Sequence, residues 1–187
     1  MNKNLIYISP QTKITDIIQN NPSILIILEH FGICYEFNNK SLEEICDKYK
    51  LDVILVSTII NLFNGHTSKQ IVGYNKENVK SIIGFLQSNH NYYSFEKIPK
   101  LKALINQMIQ VNDHPKINLV NKFFESYYAE VIEHFDYEND TVFPYALGLL
   151  NKTKSGFTDE IEKTGFSIKV FKENHEDIEE KLNDLIN

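Results

Sequence analysis

Apolar positions recur along this chain at helical spacing, and the pattern divides it into a stretch of short helices followed by a stretch of long ones. In residues 1–66 the apolar clusters are brief and broken by turn signals: one at 16–20, then one at 23–31 after Pro22, with Gly32 where a glycine commonly ends a helix. Ser41-Leu42-Glu43-Glu44 has the form of a capping box and marks a helix start. Leu42, Ile45, Cys46 and Tyr49 continue it at helical spacing, and Asp52 is placed to cap a following helix through Phe63. The run NGHTSKQIVGYNKEN, with two glycines and many polar residues, supplies a linker at 67–75.

From residue 76 to residue 187 the pattern lengthens. Val79, Ile82, Ile83, Leu86 and His90 keep a 3.6-residue period, which resumes after Pro99 through Leu101, Leu104, Ile105 and Met108. Pro99 is expected to kink this helix, because proline lacks one backbone donor and clashes with the turn before it. Asn112-Asp113-His114-Pro115 signals a turn. A second long helix then carries Leu119, Val120, Phe123, Phe124, Tyr127, Val131, His134 and Glu138 on one broad face, with Pro144 marking a kink or restart near its end. Residues 152–165 read as a loop, and a third helix follows with Phe171, His175, Ile178, Leu182 and Leu185 in register. The expected class is all-α: a small N-terminal helical domain, then an up-down helical bundle.

Composition narrows the function more than the fold. With 187 residues and 42% hydrophobic content the chain can bury a core of ordinary size. No run of about 18 uncharged apolar residues is present, and the first residues lack the apolar core of a secretion signal, so a cytoplasmic protein without membrane contact is expected. Cys34 and Cys46 are too few for a disulfide scaffold. The net charge is −6, and all 19 basic residues are lysine; without the forked guanidinium that reads phosphate and guanine, nucleic acid is not expected as a partner.

The candidate chemistry lies on the inward faces of the long helices. His134 and Glu138 are four residues apart and project from the same side of one helix. His90 and His175 occupy the inward stripes of two other helices. A lone histidine on such a stripe is more often a hydrogen-bonded core residue than a ligand, but three of them with a carboxylate that is costly to bury unpaired point to a shared metal. Imidazole and carboxylate donors without thiolate suit iron, manganese or zinc. Because a carboxylate can bridge two ions, iron comes first, with zinc and manganese behind it. Glu130, one turn before His134, is a candidate to orient that imidazole, balanced by its reading as a solvated charge. Tyr92, Tyr93, Tyr127, Tyr128 and Tyr137 crowd the same helices as packing residues. His30 at a helix end, His66 in the linker and His114 in the turn fall outside the site.

With these residues placed, the chain resembles the hemerythrin-like, HHE cation-binding proteins, and specifically the di-iron repair of iron centres family. In that resemblance SNHNYYSFEKIPKL is similar to the first-helix motif and implicates His90. HFDYENDTVFPYAL, with its trailing Phe-Pro, is similar to the second and implicates His134 and Glu138, while KENHEDIEEKL is similar to the third and implicates His175. The segment ILEHFGICYEFNNKSLEEICDKYKLD is similar to the small helical domain that precedes the bundle. There are two departures. Where the family carries adjacent cysteines followed by glycines, this chain has only Cys34 followed by Tyr35, and the sequence reaches Asn187 without the fourth bundle helix and its histidine and glutamate. Three of four helices would leave an apolar groove, and a shortened chain, a second copy as a homodimer, or a degenerate site would each account for it; Glu179 is a substitute ligand only if it turns inward.

The resemblance implies a non-haem di-iron protein that repairs iron–sulfur clusters damaged by nitric oxide or oxidants, with iron–sulfur proteins or small oxidants such as O2 and NO as partners. His90, His134 and His175 would bind iron and Glu138 would bridge two ions. No nucleophile and base pair is evident, so enzymatic turnover is left open. The alternative is a sensor of O2, NO or iron that binds without turnover. A transcription factor built on the two helices between Leu42 and Phe63 is disfavoured by the acidic balance.

Overall fold

The computed structural model describes residues 5–34, 39–67, 75–111, 114–150 and 171. Among them the secondary structure is helical, with a single isolated backbone bridge between Lys13 and Ser41 and no strand. The chain divides into two compact units, 1–88 and 89–187.

The first unit holds α1 (Ile14–Asn20), α2 (Ile24–His30), α3 (Leu42–Tyr49), α4 (Val53–Phe63) and the beginning of α5 (Lys76–Tyr92). Backbone and side-chain bonds close several ends of its short helices. The capping box is formed as the sequence predicts: Glu44 N–H donates to Ser41 Oγ at 3.2 Å and Ser41 N–H to Glu44 Oε2 at 2.8 Å. Two further amides of that first turn, Leu42 and Glu43, donate to the carbonyls of Thr12 and Pro10, each at 2.9 Å, which docks the N-terminal stretch onto α3. At the other end, α2, α3 and α4 close with the same paired bonds. Gly32, Lys50 and Gly65 adopt left-handed φ of 74°, 57° and 79°. The amide of each, and that of the residue after it, folds back onto the last carbonyls, as in Ile33 N–H to Leu28 O at 3.0 Å.

Ile8, Ile14, Ile17, Ile24, Leu28, Ile33, Leu42, Ile45, Val56 and Ile60 fill the core of this unit. Asn61 is buried among them. Its Oδ1 accepts from Ile8 N–H and its Nδ2 donates to Ile8 O, both at 2.8 Å, so one amide satisfies both backbone groups of an extended segment lying against α4. Asp52 also acts twice: Oδ1 caps α4 by accepting from Ile54 N–H at 2.8 Å, and Oδ2 accepts from Asn78 Nδ2 at 2.8 Å. Phe85 stacks on Phe31 with centroids 4.7 Å apart. These contacts tie residues 76–88 to the small helices, and for that reason the units divide between Ser88 and Asn89 rather than at the glycine-containing stretch 67–75.

In the second unit the end of α5 passes into a π turn, Tyr93–Lys97, and then α6 (Ile98–Val111). The turn signal at 112–115 is followed by α7 (Pro115–Tyr137), with Pro115 at its first position and His114 Nδ1 accepting from Lys116 N–H at 3.2 Å. Lys102 and Glu125 pair across α6 and α7 at 2.8 Å. A second π turn, Glu138–Val142, leads into α8 (Phe143–Leu150). The kinks expected at Pro99 and Pro144 take this form: each proline is the second residue of the helix that follows a π turn.

Candidate metal centre

His90 stands near the end of α5 and Glu138 opens the second π turn; both are buried, at 6% and 8% exposure. The amide of Glu138 still bonds the carbonyl of His134, so these two residues are separated by one regular α-helical turn and face the same way. The three side chains meet. His90 Nε2 lies 2.9 Å from Glu138 Oε2 and His134 Nε2 lies 3.6 Å from Glu138 Oε1. The carboxylate thus presents one oxygen to each imidazole.

Aromatic rings wall the cluster. Phe135 stacks on the His90 ring at 4.1 Å and 12°, and Phe143 lies nearly parallel to it at 5.8 Å and 18°. Phe171, helical and partly buried, stacks on His134 at 6.3 Å and 18°. The aromatic walls exclude water and so strengthen every charge interaction within them. They also leave His90 Nδ1 buried without a hydrogen-bond partner. A hydrogen bond to Glu138 therefore uses only one of the two nitrogens of this imidazole.

Of the predicted site residues, His90, His134 and Glu138 are brought together, while His175 and Glu179 lie outside the described residues. Glu130 is partly buried, and its charge, after burial itself, raises the Tyr127 phenol above its ordinary value. The remaining histidines have other work. His30 is buried and meets Phe85 edge-on at 5.8 Å, so its place at a helix end is not a solvent-facing one. His66 Nε2 is 2.9 Å from Leu5 O, and His114 caps α7. What the sequence pattern missed was the aromatic wall: in a continuous α-helix Phe143 would not share a face with Glu138, and the signal available was the proline that follows it.

The donors, two imidazoles and a carboxylate, are of the kinds that iron, manganese and zinc take. Two ligands on one ion at about 2.0 to 2.2 Å stand roughly 3.0 to 3.4 Å from each other; the imidazole–carboxylate separations of 2.9 and 3.6 Å fall just below and just above that range. Among the described residues no group of three or more His, Cys, Asp or Glu side chains is placed so that it could hold a metal ion. The two imidazoles meet different oxygens of the carboxylate. No protein-family model, characterised protein or solved structure matches the chain.

Proposed function

We propose that His90, His134 and Glu138, completed by His175, form a non-haem di-iron centre, and that the protein uses it to repair iron–sulfur clusters damaged by nitric oxide or oxidants. The observation that carries this reading is the buried carboxylate addressed on each oxygen by a different imidazole. A purely structural ion pair of this kind stabilises poorly, since desolvation offsets most of the attraction. His175 is four residues after Phe171, whose ring lies on His134.

In this reading His90 and His134 would offer Nε2 and Glu138 would supply the negative charge, while Phe135 and Phe143 lie alongside the His90 ring. Bound iron would supply a change of redox state and open positions for small ligands such as O2 or NO. The chain's own contribution is donor placement, exclusion of water and charge. The proposed substrates are iron–sulfur proteins of the cytoplasm; no helix among the described residues is long and apolar enough to cross a membrane.

The test is anaerobic titration with Fe2+, with elemental analysis, an ultraviolet–visible spectrum after oxidation, and an assay on an oxidant-damaged iron–sulfur enzyme. Wild-type protein is expected to take up iron in di-iron stoichiometry and restore activity. Glu138→Gln and His175→Ala should weaken uptake by more than the roughly 10- to 100-fold typical of losing an outer partner. Zinc alone, or iron uptake unchanged in both variants, would remove the reading.

A further inference from the structure

We propose that Pro144 is a positioning residue for this centre, acting through the backbone: it enforces the π turn Glu138–Val142, and that turn swings Phe143 onto the His90 ring. The functional half of the inference rests on the metal reading above; the conformational half does not.

Phe143 N–H bonds the carbonyl of Glu138, five residues back, where an α-helix would use Asn139. In an α-helix the residue stacked one turn beyond Glu138 is Val142. In the wider turn that place passes to the next residue, Phe143, and the structure finds its ring buried and nearly parallel to His90. Proline in a helix clashes with the carbonyl four residues before it and cannot bond it. For Pro144 that carbonyl belongs to Asp140, inside the π turn, where the extra residue moves it aside. The relation recurs independently. Ile98 N–H bonds Tyr93 O across the other π turn, and Pro99 is again the next residue. Both prolines are exposed, so neither acts by filling space.

The result couples a surface residue to the buried pair. Relaxed to an α-helix, the segment would bring Val142 toward Glu138 and carry the Phe143 ring away from His90. One wall of the cluster would be lost with every donor side chain still present.

The test compares Pro144→Ala with wild type and with Pro144→Ala from which Thr141 is also removed, a deletion that returns Phe143 to its face by taking out the extra residue. Three quantities are measured: the chemical shifts of the His90 ring protons in metal-free protein, which neighbouring aromatic rings displace; the thermal midpoint; and Fe2+ affinity. Pro144→Ala is expected to move the His90 proton shifts toward ordinary values and weaken Fe2+ binding at least 10-fold, while the thermal midpoint reads the balance between a helix-breaking residue removed and the burial of Phe143 lost. The deletion variant should recover both the shifts and the affinity. A merely structural proline would change the midpoint alone. Unchanged His90 shifts in Pro144→Ala overturn the proposal. If wild-type protein binds no Fe2+, the metal reading fails while the shifts still decide whether Pro144 sets Phe143.

Discussion

Cys46 and Cys34 show how much burial alone does to one kind of side chain. Cys46 sits in the core of the first unit and Cys34 is exposed. Desolvation, then the nearby charges of Asp47 and Asp52, push the Cys46 thiol up from an ordinary 9.0 to about 12. Because the thiolate is the reactive form, a maleimide reagent at neutral pH should label Cys34 quickly and Cys46 only after unfolding; equal labelling in folded protein would contradict the burial. The folded thiol keeps its proton to higher pH than the unfolded one, so stability holds below pH 9 and falls as pH rises from 9 toward 12. That decline should flatten in Cys46→Ala. Asn61 is the polar counterpart. Replacing it with leucine strands the buried N–H and C=O of Ile8, and at about 1 to 3 kcal/mol per stranded group chemical denaturation should show a loss of at least about 2 kcal/mol.

At the scale of elements, the helices of the first unit are too short to persist by propensity and depend on packing into their common core, with bonds at their ends adding to it. Lys50 is the informative end. It holds the left-handed position that Gly32 and Gly65 hold after α2 and α4, and a side chain there costs roughly 1 to 2 kcal/mol, against about 0.5 to 1 kcal/mol of extra entropy for glycine. Lys50→Gly should therefore raise stability by about 0.5 to 1 kcal/mol, read from the denaturation midpoint at constant slope; a decrease would mean the lysine side chain makes stabilising contacts of its own. The start of α3 adds a pH dependence. Hydrogen bonds from the backbone and side chain of Ser41 lower the Glu44 carboxyl below its ordinary 4.5. A lowered folded value means the cap is fully present above pH 4.5 and is lost as pH falls through the folded value. Circular dichroism of wild type and Glu44→Gln should diverge above that pH and converge in acid.

For the whole molecule, the proposed centre on α5, α7 and the π turn beyond it would link metal binding to folding. Unfolded chain does not hold His90, His134 and Glu138 in one place, so an ion bound by the folded state stabilises it by about 2.7 kcal/mol at a free concentration one hundred times the dissociation constant. Fe2+ or Co2+ should raise the thermal midpoint and a chelator should lower it again, with the shift absent in Glu138→Ala. In that variant the buried His90 and the partly buried His134 lose their contact with Glu138, and metal-free stability should drop by about 1 to 3 kcal/mol, the scale of leaving a buried polar group unpartnered.

Local order is legible in the amino-acid sequence of this chain. The capping box at Ser41, the Asp52 cap, the glycine after α2 and the start of α7 at Pro115 involve groups a few residues apart, whose geometry follows from the backbone itself. The helical class and the shared face of His134 and Glu138 follow from the 3.6-residue period for the same reason. Only tertiary structure decided that His90 reaches that face, that residues 76–88 join the small helices, that Asn61 clasps Ile8, and that Phe143 closes on His90. Each of these depends on contacts between distant segments, or on a single π turn that changes which residue comes next on a helical face, and neither leaves a periodic trace in the sequence.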